Sequence, residues 1–346
     1  MNKNSIDIAN IIKALDRTGE ARIIVFGDYA LDKYFYIDPE RDEPSAETGL
    51  PAYQVHKKYL SAGVGGTITQ NLRALGANVV CIGVVGNDGE GYELMNILNG
   101  IGADTKYMVH SDNLFTCTYI KPMRRNADGE YVELNRIDIR NHFEPPVEIQ
   151  NQMLDKLREA IPNADAVLVI DQFYQRNQGA VTDYIRESLA KIALENPGKL
   201  FYADSRSFIN EYSNMVLKCN NLELFRKFAG GSGNPESLDE IIEEGRKLSR
   251  KTGRLVFVTR GDKGMVSFNG DDYTVIPAFE VKGETDIVGA GDATNASLVL
   301  GMTLGLSPAE AGTLACAVSS ITIQQIGTTG TASPEEAVAV LRTREQ

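Results

Sequence analysis

The chain has 346 residues, 42% of them apolar, with a formal net charge of -12 at pH 7 and a pI near 4.9. That length suits one large α/β unit carrying an inserted accessory piece, and the apolar share is enough for a sizeable core. The acidic balance argues against nucleic acid or an anionic membrane as partner, since neither polyanion is attracted, so any bound phosphate must be held by local devices.

Residues 1–20 read as a polar amphipathic helix rather than a basic segment followed by an apolar one, and no later apolar run approaches membrane-spanning length; a cytoplasmic location is expected. A β-branched run at 23–26 leads into Gly27-Asp28-Tyr29-Ala30-Leu31-Asp32. Gly63-Val64-Gly65-Gly66 opens a helical pattern at 67–75. Strand patterns at 79–85, 166–170, 200–203, 215–217 and 255–258 then alternate with helical ones at 90–98, 149–160, 181–195 and 238–251. This is the pattern of a mostly parallel sheet covered on both faces. Residues 34–60 and 115–138 break the rhythm, alternating Tyr, Thr and Val runs with turn signals and no helix. They read as extra β-strands projecting from the main body, fit to serve as a lid or a dimer surface. Residues 229–235, with three glycines, read as a loop, and 265–268 as a strand after a reversal at Gly264.

Cys81, Cys117, Cys219 and Cys316 are scattered without a C-x-x-C pair and read as reduced core residues. His56, His110 and His142 show no ligand spacing, which argues against a zinc centre. No G-x-x-x-x-G-K-[ST] occurs, since the only Gly-Lys pair, Gly198-Lys199, precedes Leu200; and the glycines at 63–66 lack the spacing of a dinucleotide turn.

Near the C-terminus, Asp286-Ile287-Val288-Gly289-Ala290-Gly291-Asp292 runs directly into a helical stretch at 293–304. Free amides and the positive end of a helix dipole suit a phosphate, and an aspartate there can take a proton from an attacking hydroxyl. Glycine turns ending in an N-cap aspartate also open many helices that bind nothing, so the neighbouring motifs decide the matter.

Those neighbours are Gly27 to Asp32, the Gly-rich helix start, Asn220-Asn221-Leu222-Glu223, and Thr259-Arg260-Gly261-Asp262-Lys263-Gly264. With them the chain resembles the ribokinase-like, or PfkB-type, carbohydrate kinases over roughly residues 20–342. The resemblance implies a three-layer α/β/α sandwich, mostly parallel, in one domain over 1–346 with a small β lid from 34–60 and 115–138. Within the family the chain is most similar to the heptose-phosphate kinase module of ADP-heptose synthesis. The narrower likeness rests on the opening G-D-Y-A-L-D-K-Y, on Asn135 to Asp138, on Val258 to Met265, and on Ile326 to Pro334.

Carried over residue by residue, the resemblance makes Asp292 the base and the Gly289, Ala290 and Gly291 amides the anion hole for the transferring phosphoryl group. Asn220 and Glu223 match the motif that orders the water shell of Mg²⁺. Thr259, Gly261 and Gly264 match the residues meeting the nucleotide, and Asp28 and Asp32 the pair accepting sugar hydroxyls. Asp286 with the 327–330 loop is the natural place for a monovalent cation such as K⁺.

Two departures bear on substrate. The family usually has Gly-Gly and then Asn three residues later. Counting back without gaps from Leu75-Gly76, those places hold Gly63, Val64 and Thr67, whereas if Gly65-Gly66 is the pair, Thr69 takes the place of Asn. The subfamily's D-Y-x-K-G run is replaced by Gln172 to Gly179, and its D-P-K or D-P-R appears as Asp204-Ser205-Arg206. Arg206 could hold a substrate phosphate. Lys121, Arg124, Arg125 and Arg136 are further candidates, with a solvated basic face as the alternative. The expectation is an ATP-dependent, Mg²⁺-requiring kinase of a sugar or sugar phosphate, heptose-7-phosphate type first, dimeric through the lid. A kinase of ribose, fructose or a nucleoside, and a non-catalytic sugar or nucleotide binder, are the alternatives.

Overall fold

A computed structural model describes residues 6–228, 230–231 and 233–344. Its main sheet has eight strands in the order Asp272–Ile276, Met265–Asn269, Val256–Thr259, Val216–Asn220, Leu200–Ser205, Ala166–Asp171, Arg22–Gly27 and Asn78–Ile82. All neighbours are parallel except the first two pairs, which form an antiparallel edge. Alternate side chains go to opposite faces, which is why these strands read as continuous apolar runs. Ile23 and Val25 join one core, and Ile24 and Phe26 the other.

The first core is covered by helices Ile8–Leu15, Gly65–Ala74, Gly89–Gly100, Ala290–Thr303, Pro308–Thr322 and Pro334–Arg342. The second is covered by Val147–Ala160, Asp183–Glu195 and Leu238–Thr252. The result is an α/β/α sandwich. Among the described residues no helix is long and apolar enough to cross a membrane.

Three local differences from the sequence-based expectation have physical causes. The 79–85 run is two strands, Asn78–Ile82 and Val84–Gly86, the second pairing with Val109–Ser111. Between them a Cβ at Gly83 would stand 2.6 Å from the Tyr29 ring, so the chain turns where Tyr29 crosses it. The helix expected at 293–304 starts earlier, at Ala290, which puts Asp292 inside its first turn rather than at the N-cap. The N-terminal helix is confined to Ile8–Leu15, with residues 1–5 outside the described residues, as are Ala229 and Ser232 of the 229–235 loop. Pro308–Thr322 and Pro334–Arg342 open with capping boxes, Ser307 with Glu310 and Ser333 with Glu336, a signal present in the sequence.

A second sheet stands beside the first. Tyr29–Ile37 runs antiparallel to Val55–Val64 and parallel to Thr118–Arg125, which also pairs with Tyr131–Glu133 and Ile137–Ile139. It draws on the segments 34–60 and 115–138 but begins earlier, at Tyr29, so Asp32 lies within a strand rather than at a helix cap.

Candidate active site

The register of the parallel sheet collects the motifs. Gly27 aligns with Ile170, Asp171 with Ser205, Asp204 with Lys218, and Asn220 with Thr259. Residues scattered from Asp28 to Thr259 therefore meet along the carboxyl ends of neighbouring strands, where ligands gather in open α/β sheets.

Helix Ala290–Thr303 points its start at that edge. Gly289, at the N-cap, has φ +83°, and a Cβ on it would stand 3.2 Å from Thr329. Glycine is the residue that holds this conformation without strain. Asp7, Asp88, Thr182, Ser237, Ser307 and Ser333 cap their helices with a side-chain oxygen, whereas Gly289 has none to offer. The amides of the first turn thus lack a side-chain acceptor. Ala290 is the exception, because its N–H closes a turn on the Ile287 carbonyl at 3.2 Å. Among the described residues the Gly291 and Asp292 amides have no backbone acceptor. Asp292 is partly buried, and burial, followed by the Asp204 charge, pushes its carboxyl up to about 7, with Lys218 and Arg206 opposing.

Beneath this turn lies a buried polar chain that sequence reasoning missed. Lys218 Nζ donates to Asp204 Oδ2 at 2.9 Å, Asn295 Nδ2 donates to the same oxygen at 2.6 Å, and Tyr202 donates to Asn295 Oδ1 at 2.8 Å. Asp204, Glu223 and Asp292 hold the Lys218 ammonium charged against its burial, with its pKa pushed up to about 12. The signal was available: a lysine between Leu217 and Cys219 in a strand apolar on both faces needs a partner to be buried.

Asn220 and Glu223 form a capping box, the Asn220 side chain accepting from Glu223 N–H at 2.7 Å and Glu223 Oε2 accepting from Asn220 N–H at 2.8 Å. Burial and Asp204 push the Glu223 carboxyl up. Among the described residues no three acidic, His or Cys side chains converge as a metal cage. This donor set fits a Mg²⁺ that keeps most of its water and is reached by Glu223 through it. Gly261 at φ +59° and Gly264 at φ +81° frame the turn between Thr259 and the returning strand, and a Cβ at Gly264 would collide with the Ile276 carbonyl.

Asp28 is buried, and its oxygens accept from the amides of Ala180 at 2.7 Å and Gln172 at 2.8 Å. Burial and the Asp171 charge push it up to about 7. It therefore fixes the 172–180 loop at the sheet edge. Asp32 pairs with Lys121 at 3.0 Å and lies against Gly63, where a Cβ would stand 2.6 Å from Oδ2. Arg206 donates to Gln172 Oε1 at 3.0 Å and to the Tyr174 hydroxyl at 3.2 Å, and is exposed. Asp286 accepts from Val288 N–H and from Gly327 N–H, each at 3.0 Å, tying the turn to the 327–330 loop.

Thr67 departs from expectation. It is 2% exposed, and its hydroxyl donates to the Ala62 carbonyl at 3.1 Å, so it faces the interior. Thr69 is likewise internal, donating to Gly65 O at 2.7 Å. Val64 has φ +58° and ψ -117°, the backbone of a glycine, which favours the gapless register in which Val64 replaces the second glycine of the pair. The basic lid residues are already paired: Lys121 with Asp32, Arg124 with Asp42, Arg125 with Asp38 and Glu40, and Arg136 with Asp138.

Residues 21–336 match the family described as pfkB family carbohydrate kinase. The chain belongs to this family of carbohydrate kinases. Curated relatives include the D-beta-D-heptose 7-phosphate kinase of Bordetella bronchiseptica, 26% identical over 322 residues, covering 90% of this chain and 94% of that protein. The bifunctional protein HldE of Trichlorobacter lovleyi is 26% identical over 339 residues, 94% of this chain but 64% of its own length. The chain thus spans less than two thirds of such bifunctional relatives. Among solved structures, phosphofructokinase-2 from Escherichia coli in complex with potassium superposes with a TM-score of 0.73 at 16% identity, covering 94% of this chain and 99% of that one. Arabidopsis thaliana ribokinase complexed with ribose and ATP gives 0.69 at 20% identity, covering 93% and 98%. These structures share the fold.

Proposed function

We propose that this kinase transfers the γ-phosphoryl group of ATP to a hydroxyl of a sugar phosphate, of the heptose-7-phosphate type, in the cytoplasm. The observation that carries the reading is Asp292, partly buried in the first turn of an uncapped helix beside the free amides of Gly291 and its own backbone. Asp292 takes the proton of the acceptor hydroxyl as that oxygen bonds to the γ-phosphorus. The bond from phosphorus to the β–γ bridging oxygen breaks, and ADP leaves. Charge on the transferring group is met by the helix amides, positioned before the reaction begins. Mg²⁺, when bound with the nucleotide, supplies further neutralisation of phosphate charge. Asn220, Glu223, Thr259, Gly261 and Gly264 line the nucleotide side; Asp28 orders the loop that carries Gln172 and Tyr174, and so places Arg206 for an acceptor phosphate. Asp32 and Gly63 lie on the sugar side under the lid. Asp286 and the 327–330 loop hold a monovalent cation, for which K⁺ is the first ion to test. The lid also joins two copies in a homodimer.

The buried Thr67 favours a second reading, a kinase of ribose, fructose or a nucleoside, because a sugar hydroxyl usually read at that place has no partner there. An ADP-release screen across sugar phosphates, free sugars and nucleosides separates the two. Turnover with a heptose 7-phosphate, abolished in Asp292→Asn, is the expected result. ATP binding without ADP release on any acceptor would leave a non-catalytic binder, and undiminished turnover in Asp292→Asn would remove the role given to that carboxylate.

A further inference from the structure

Lys218 is a buried cation, held charged against its desolvation by Asp204, Glu223 and Asp292. Its strand neighbours Leu217 and Cys219 face the core under helix Leu238–Thr252, so Lys218 projects to the opposite face, beneath helix Ala290–Thr303. It is 5% exposed, and a Cβ on Gly291 would stand 3.6 Å from its Nζ. A cation is thus buried under the positive end of a 14-residue helix, where the dipole repels it. Asp204 answers part of that charge, but an ammonium has three N–H donors, and Asp204 is its one hydrogen-bond partner among the described residues.

A merely structural ion pair is a poor explanation, since buried pairs are commonly matched or bettered by apolar side chains. An anion lying on the Gly291 and Asp292 amides would draw the amides, the dipole and the ammonium toward one point. Resting on the phosphoryl-transfer reading above, we propose that Lys218 is a positioning residue of the transfer site. Its fixed charge lies behind Gly291 and strengthens the anion hole for the transferring group, while Asp204 and Asn295 anchor it to the helix that carries Asp292. Asp204 Oδ2 bridges the two elements, so the charge and the base move as one unit.

The test uses the whole chain and reads binding rather than turnover. ADP and Mg²⁺ are titrated with and without aluminium fluoride, whose complex stands in for the charged phosphoryl group. In the wild type, fluoride tightens ADP binding. In Lys218→Met, ADP alone binds as in the wild type, while the gain from fluoride shrinks by roughly a hundredfold, the usual scale for losing one anion-hole group. The double variant Lys218→Met with Asp204→Asn removes both members of the hydrogen-bonded pair at once, and should fold and lose the same gain. A full wild-type gain in either variant, or no gain in a wild type that binds ADP, overturns the role of Lys218 and leaves the kinase assignment standing. A wild type that binds no ADP at all defeats the proposed function, and this inference with it.

Discussion

Asp28, just after strand Arg22–Gly27, and Asp292, in the first turn of helix Ala290–Thr303, each have a carboxyl pushed up to about 7, chiefly by burial. If Asp292 is the base proposed above, this poises it near neutrality, where general-base catalysis is most effective. The carboxyl must be ionised to accept a proton, so kcat/KM should rise with pH through about 7 and level off above it. The same shift has a thermodynamic face of opposite sign. Between the ordinary value of 3.8 and about 7 the folded chain holds a proton that the unfolded chain has released. The stability linked to that proton is fully present below the unfolded value and drains away as pH rises through 7. Asn is neutral at every pH, so Asp292→Asn should unfold in urea with a gain of about 1–3 kcal/mol over wild type at pH 8, and almost none near pH 4. Equal differences at the two pH values would mean that burial does not act on Asp292. The proposed base is, on this account, a residue the fold holds at a cost.

Among the elements, the start of helix Gly65–Ala74 carries a visible strain. Val64 sits at φ +58° and ψ -117°, which a β-branched residue adopts only when its surroundings force it. Gly65 and Gly66 cannot relieve it, because a Cβ on them would stand 2.7 Å from the Asp28 carbonyl and 2.5 Å from the Ala62 side chain. Val64→Gly should therefore stabilise the chain by about 1 kcal/mol, the released strain of roughly 1–3 kcal/mol being partly offset by lost apolar contact and added chain entropy. Thermal unfolding checks this, and a lower melting temperature in the variant would show that the side chain's packing outweighs the backbone.

The same elements show what the sequence makes legible. Alternation of β-branched and helical runs is enough for a mostly parallel sheet covered on both faces, and the glycine turn before the helix at Ala290 is legible because glycine chemistry is local. Thr67 could not be placed that way. A hydroxyl facing a sugar and one facing the Ala62 carbonyl differ only by the rotation of the helix against the sheet, which local sequence does not encode. The chain from Lys218 through Asp204 to Asn295 was hidden for a related reason, its members lying 14 and 91 residues apart and meeting only through strand register. Ala290 turns its N–H to the Ile287 carbonyl, a contact its place before the apolar pattern does not reveal.

The molecule as a whole is strongly acidic, so it offers a nucleotide no long-range attraction, and if it binds ATP as proposed the affinity must come from local contacts at the carboxyl edge of the sheet. The two faces of the lid sheet differ in chemistry. Asp32, Tyr34 and Lys121 lie together on one face, with Lys121 held 3.0 Å from Asp32 and 2.9 Å from the Tyr34 hydroxyl. By alternation the other face carries Ile120, which aligns with Ile137, and Arg124, which aligns with Val132. Val132 is 50% and Ile137 57% exposed, and Leu50 and Tyr53 leave further apolar surface on the lid. Where such side chains form one patch, the patch is costly in water and suits a surface that another chain covers. If a second copy covers it, the protein should sediment as a dimer at micromolar concentration, and Val132→Asp with Ile137→Asp should sediment as a monomer. Both side chains are largely exposed, so the melting temperature of the isolated subunit should hardly move, since surface substitutions away from special features usually stay within about 0.5 kcal/mol. A double variant that remains dimeric would place the interface elsewhere and free the lid to act within one subunit.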